Sequence, residues 1–265
     1  MTQSPAKTPE LDLDYAVEDD IPGGEPKRDS RFVIERMQKL ITDKATEGRP
    51  GRVLDVGCGF GQQLALLRER GYETWGLDAS FRLARYSSAR FDTPVPVVCA
   101  IAESLPFADA SFDRVVCQGS LDHFAEPESF LREVSRILRP DGRAIIAIAN
   151  YDSLSSRLGG SLFRLKRRFN MPVYEGRSYW QIPRNHTFRG THSVLRQMCG
   201  PHLELVECRG ISLLWLFHTW TRIVEALPRP LAFGMMRALD SIAYRTPAIA
   251  DEIVSVWRPR RNANG

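Results

Sequence analysis

A chain of 265 residues is long enough for one sizeable core with elaborations, and its net charge of +4 points to no partner by itself. Five cysteines without paired or metal-ligand spacing predict reduced thiols, no metal site and a cytoplasmic setting. The polar, acidic start argues against a secretory leader, and no stretch approaches the roughly 18 apolar residues of a membrane span.

In chain order, residues 1–25 hold one Lys against seven acids, which predicts a mobile acidic tail over 1–27. Phe32, Val33, Met37, Leu40 and Ile41 recur at helical spacing behind a cap at Asp29 or Ser30. Val53, Leu54 and Val56 read as a short buried strand. A turn through Gly57, Gly59 and Gly61 leads into a helix over 62–70. A second strand (Tyr72 to Leu77) ends at Asp78, and Ser80 caps a helix over 81–90. Further strands are expected at 94–99, 112–117 and 143–149, with a helix at 127–138 and a turn at Pro140-Asp-Gly142. Strands alternating with helices, several of them apolar on both faces, predict an α/β fold with a mostly parallel, doubly wound sheet.

A strand, a glycine turn and a helix N-terminus make a nucleotide site. Glycine allows φ > 0, and its missing Cβ lets a ligand lie against the main chain. The spacing is G-x-G-x-G, preceded by Asp55, rather than the G-x-G-x-x-G of dinucleotide enzymes, which argues against a nicotinamide oxidoreductase. Asp78 lies 21 positions beyond Gly57, where such sheets place the acid that accepts both ribose hydroxyls. Leu105, Pro106 and Phe107 read as an apolar wall for an adenine ring.

Through Val53–Gly61, Asp78, Ala102–Phe107 and Leu131–Gly142 the sequence resembles the class I S-adenosylmethionine-dependent methyltransferases, continuously from about residue 50 to 150. The resemblance implies a Rossmann-like seven-stranded sheet of order 3-2-1-4-5-7-6 with the last strand antiparallel. It implies S-adenosyl-L-methionine as cofactor, held by Asp55, Gly57, Gly59, Gly61, Asp78, Ala79, Ala102, Glu103 and Gln118. The chain has Ile101 where the family often has Asp, which removes one bond to the adenine amino group. His123, after the fourth strand, is the candidate general base, with loop packing as its other reading. Asp122 is too close in sequence to orient it well, and His186 and His192 are further candidates.

Beyond residue 150 the chain departs from the minimal fold. Residues 151–190 carry eight Lys/Arg against Asp152 and Glu175 and read as a basic amphipathic or cap segment, which can lie on an anionic membrane, cover a binding site or pack on the domain. There Leu154, Leu158, Leu162, Leu165 and Phe169 recur at helical spacing, with a kink or split expected at Gly159-Gly160. Tyr174, Tyr179, Trp180 and Ile182 read as a cluster closing an apolar pocket. Strands at 203–208 and 252–257 flank a helical insertion, 211–247, open to three readings: lid, dimer surface or membrane contact. The organisation expected is one domain over 28–258 with a basic tail at 259–265. The function expected is methyl transfer to a small, largely apolar or lipid-linked acceptor, with oxygen preferred over carbon or nitrogen. A catalytically silent cofactor-binding partner is the alternative. A homodimer and peripheral membrane contact stay open, and nucleic acid is disfavoured by the Trp-rich apolar insertion.

Overall fold

The structure, a computed structural model, describes residues 27–173 and 178–260. The expected acidic tail (bar Lys27), Tyr174 and residues 261–265 of the basic tail lie outside the described residues. The elements are α1 (Arg28–Ala45), β1 (Arg52–Val56), α2 (Gln62–Glu69), β2 (Glu73–Asp78), α3 (Phe81–Ala89), β3 (Val97–Cys99), β4 (Phe112–Gln118), α4 (Pro127–Ile137), β5 (Leu138–Ala149), α5 (Leu154–Arg168), α6 (His192–Cys199), β6 (Leu203–Ile211), α7 (His218–Ala226), α8 (Arg229–Arg245) and β7 (Glu252–Pro259). They build one seven-stranded sheet of order β3-β2-β1-β4-β5-β7-β6. β7 runs antiparallel to both β5 and β6. The fold class and strand order agree with the sequence reading.

Side-chain alternation divides the core between the two faces of the sheet. Leu54, Val56, Val115, Cys117, Ile146 and Ile148 pack with Phe130, Leu131 and Val134 of α4 and Leu195 of α6. Val53, Val116, Ile145 and Ala147 face the other way, onto Val33, Leu40 and Ile41 of α1 and Leu67 of α2. Both faces are therefore covered, which is why these strands read as continuous apolar runs.

Four local expectations need correction. β3 is confined to Val97–Cys99, because Pro94 and Pro96 have no N–H for a ladder; Pro96 still accepts from Gly76 N at 2.9 Å. Pro140-Asp-Gly142 is an excursion inside β5: Leu138 pairs with Phe112 and Arg143 with Arg114. The helix expected from Ile211 begins only at His218, since Ser212 (φ 58°) and Leu216 (φ 63°) turn left-handed. Polar anchors hold that loop, with Trp215 N donating to Asp251 Oδ2 at 2.7 Å and Asp251 N to Ser212 O at 2.9 Å. Finally, α5 is not split at Gly159-Gly160.

The glycines of α5 serve packing instead. A Cβ on Gly159 would meet Tyr179 Oη at 2.4 Å and the Trp180 ring at 2.7 Å. Tyr179 Oη donates to Ser155 O at 2.8 Å. Ser155, Ser156, Gly159 and Gly160 are the buried face, so the leucine stripe turns outward. The insertion, in contrast, buries its aromatics. Trp220 and Val224 pack with Ala232 and Met236 of α8, and Trp215 reaches α1, its Nε1 donating to Ser30 Oγ at 3.1 Å. Trp215 is thus a strut between the insertion and α1 rather than part of a lid. Among the described residues no helix is long and apolar enough to cross a membrane.

Candidate active site

The glycine turn sits at the carboxyl end of β1, where a doubly wound sheet opens its crevice. Gly57, Gly59 and Gly61 all adopt positive φ (72°, 51° and 74°). Gly57 N and Cys58 N both donate to Leu77 O, at 2.8 and 3.0 Å, which ties the turn to the end of β2. The next residue there, Asp78, accepts from Gly59 N through Oδ2 and from Ser80 N through Oδ1, both at 2.9 Å. One carboxylate therefore holds the turn and the α3 entry together. Ala79 lies half-buried between it and the Ser80 cap.

The three glycines are not equivalent. A Cβ on Gly57 would lie 2.2 Å from Ser120 Oγ, whereas one on Gly59 would have nothing within 4 Å. Gly57 packs against protein, and Gly59 faces open space. That open space beside a buried acid is what an extended ligand lying on the turn requires, so the residues fit the cofactor that the resemblance implied.

Asp55 is buried in β1, and burial, with the Asp78 carboxylate adding to it, raises its pKa to about 7. Glu252, at the start of β7, is raised to about 8 by burial and then by Asp251 and Asp122. Both carboxyls bind a proton more tightly folded than unfolded. The stability they contribute is full below about pH 4 and is lost as pH rises through about 7 and 8. Thermal melts should show this as a decline from pH 4 to 8.5 that Asp55→Asn or Glu252→Gln reduces. Wild-type and variant curves running parallel would contradict it.

The expected adenine wall needs correction as well. Leu105 is buried, and Phe107 packs edge-on against Phe112 (5.0 Å between centroids) and Trp75 (6.1 Å). Leu105 belongs to the core and Phe107 packs half-buried against it, whereas Ile101 is an exposed apolar side chain of this segment. Ala102 is buried, and Glu103 Oε1 accepts from Ala125 N (2.8 Å) and Glu126 N (3.3 Å), fixing the loop before α4. Gln118 is half-buried at the end of β4.

After β4 a 3-10 turn, Leu121–His123, carries the acid–base groups. Ser120 abuts Gly57, so this turn is built directly against the glycine turn. Asp122 has a partner far away in sequence: its Oδ2 lies 2.9 Å from Nδ1 of His186, whose side chain is 9% exposed. Asp122 O also accepts from Thr187 N at 2.7 Å, which pins the distant loop in place. The His123 and His186 rings meet edge to face at 4.6 Å, and Tyr151 Oη lies 3.5 Å from His186 Nδ1. In the tautomer with its proton on Nδ1, which faces Asp122 Oδ2 at 2.9 Å, Nε2 of His186 would carry the lone pair. Asp122 Oδ1 is buried with no hydrogen-bond partner among the described residues.

The sequence expectation of no metal cluster also needs qualification. Asp122, His123 and His186 bring ligand-type atoms within 4.8 Å of one another. The Nδ1–Oδ2 contact at 2.9 Å is a carboxylate–imidazole pair within that cluster. No local spacing announced the pairing, because 63 residues separate Asp122 from His186. His192, capped by Thr191 at the start of α6, lies outside this cluster, and burial, then Arg196, lowers its pKa.

A groove of about 530 Å³ runs beside α5, lined by Leu162, Phe163, Lys166, Trp180, Leu216 and Phe217 among others. α5 leaves β5, and the 212–217 loop leaves β6, which runs in the same direction as β5. The groove walls therefore rise from the same carboxyl edge as the glycine turn.

Residues 54–146 match the family model described as a methyltransferase domain. Methyltransferase GfsG of Streptomyces halstedii is 36% identical over 119 residues, 43% of either chain. O-methyltransferase resE of Aspergillus sclerotiorum is 29% identical over 187 residues, 68% of this chain and 70% of that one. The chain spans half or less of the length of the first curated relatives it matches, from 38% to 49%. Among solved structures, the methyltransferase complexed with the Trm112 activator of Haloferax volcanii has a TM-score of 0.58 at 21% identity, covering 90% of this chain and 95% of that one. With the strand order already described, the match over residues 54–146 gives the chain a methyltransferase domain, similar to those of the class I S-adenosylmethionine-dependent methyltransferases.

Proposed function

We propose that this chain methylates a hydroxyl oxygen of a small, largely apolar or lipid-linked acceptor. The observation that carries the reading is the Asp122–His186 pair built against the glycine turn through Ser120. When bound, the cofactor supplies an electrophilic methyl group on a sulfonium. Asp78, which accepts from Gly59 N and Ser80 N, would accept the ribose hydroxyls, a task that suits an acceptor-only carboxylate. Gly59 gives the close approach, Ala102 a backbone N–H for the adenine edge, and Glu103 holds that segment from behind. Gln118 and Asp55 serve the amino-acid end, where an ammonium group favours the Asp55 carboxylate.

At the acceptor, Nε2 of His186 takes the hydroxyl proton, and Asp122 stabilises the imidazolium that results. His123, packed edge-on against His186, orients that ring rather than acting as the base. The groove beside α5 receives the apolar body of the acceptor. Incubation with methyl-labelled cofactor and a panel of hydrophobic phenols and alcohols, read by mass spectrometry, tests the reading. Label on an acceptor oxygen supports it. Cofactor that binds but yields no methylated product with any acceptor supports the silent-partner alternative instead.

A further inference from the structure

We propose that α5 rests on an anionic lipid surface and draws apolar acceptors from it into the adjoining groove. The inference rests on the reading of the acceptor as largely apolar. α5 packs onto the domain through its small residues, Ser155, Ser156, Gly159 and Gly160. That choice leaves Leu158, Leu162, Leu165 and Phe169 at 42, 41, 52 and 65% exposure. At about 100° per residue these four fall within a stripe roughly 60° wide. Such a line of large apolar groups is what a monomer hides and an interface uses.

The charges around the stripe identify the occupant. Between residues 154 and 173 the chain has five Lys/Arg and no acid. Arg164 and Arg168 project roughly 110° to one side of the stripe and Lys166 about 70° to the other, while Arg157 is held by Asp152 at 2.8 Å. Cations flanking an apolar line suit a helix lying in the plane of a bilayer, stems along the acyl boundary and heads among anionic headgroups. Apart from Asp152, which holds Arg157, no acid accompanies the stripe between residues 152 and 173, so its charge complements an anionic headgroup layer. Leu162 and Lys166 belong both to α5 and to the groove lining, so a lipid-like molecule can pass from one to the other without crossing bulk water. The helix is too short and too charged to span, which fits contact rather than insertion across the bilayer.

The test is sedimentation of the full chain with vesicles of phosphatidylcholine alone and of phosphatidylcholine with phosphatidylglycerol. Wild type should pellet with the anionic vesicles at low salt and at least about tenfold less with neutral ones. High salt should reduce it, because the screening length falls from about 30 Å at 0.01 M to about 3 Å at 1 M. Arg164→Glu with Arg168→Glu should weaken binding by at least roughly tenfold, each cation near such a surface contributing about fivefold. Leu165→Glu with Phe169→Glu should abolish it. These four residues lie outside the groove lining, so S-adenosylhomocysteine affinity reports separately on folding and on the methyltransferase reading. Wild type left in solution with both vesicles overturns the proposal, as does a Leu165/Phe169 variant that still pellets. A dimer in solution that the same variant dissociates, without vesicle binding by wild type, would assign the stripe to a second copy and overturn it too.

Discussion

Replacing His186 by Ala is expected to lower kcat by about 10²- to 10⁴-fold, the range contributed by one positioned base. The ring is placed for this work by its surroundings: Nδ1 lies 2.9 Å from Asp122 Oδ2 and 3.5 Å from Tyr151 Oη, and the His123 ring packs edge to face against it. Nearly complete burial limits its alternative orientations, so the lone pair on Nε2 has a fixed direction. Asp122→Asn should cost almost as much. An amide at 122 can offer its NH₂ to Nδ1, and the ring proton then moves to Nε2, where it blocks proton uptake. His123→Ala should cost less, because it removes the ring packed against His186 and leaves the base in place. In all three variants S-adenosylhomocysteine affinity should stay within about twofold, as expected for sites without a shared partner. Full activity in His186→Ala, with loss in His123→Ala, would return the base to the residue of the 3-10 turn.

Gly59→Val is expected to raise the Kd for S-adenosylmethionine by at least about 100-fold, roughly 2.7 kcal/mol, in a protein that still folds. The position has φ 51°, and a side chain there would project into space free of protein atoms within 4 Å. The folded state bears only the left-handed strain, about 1–3 kcal/mol. A ligand lying on the turn, however, meets the branched side chain directly. Gly57→Val should behave differently, since its Cβ would lie 2.2 Å from Ser120 Oγ in the protein itself. That variant should melt several degrees lower and lose activity through displacement of the 3-10 turn. Thermal melts with calorimetry on both variants check the contrast. Normal affinity in folded Gly59→Val would show the turn to be structural.

The core was legible because each buried strand displays its alternation: Ile145 and Ala147 face one layer, Ile146 and Ile148 the other. The crossover carrying the glycines was legible for a local reason, three positive-φ positions that only glycine fills readily. What escaped depended on long-range choices. Leu158, Leu162 and Leu165 have core spacing, yet α5 buries its small face because Tyr179 and Trp180 fill the space that Gly159 leaves. Phe107 reads as a ligand wall, but Trp75 and Phe112 draw it inward. The apolar run after Ile211 reads as helix throughout, while Asp251 captures the Trp215 N–H and keeps the segment open to His218. Asp122 and His186 meet only because Thr187 ties its loop to the 3-10 turn, a contact without a sequence signature.

The central claim, that the turn over Asp78 is built for a sulfonium nucleoside, is tested most directly by calorimetric titration of the full chain. S-adenosylmethionine and S-adenosylhomocysteine should each bind at one site per chain, and NAD should give no binding heat. Tight NAD binding without binding of either sulfur nucleoside would contradict the account.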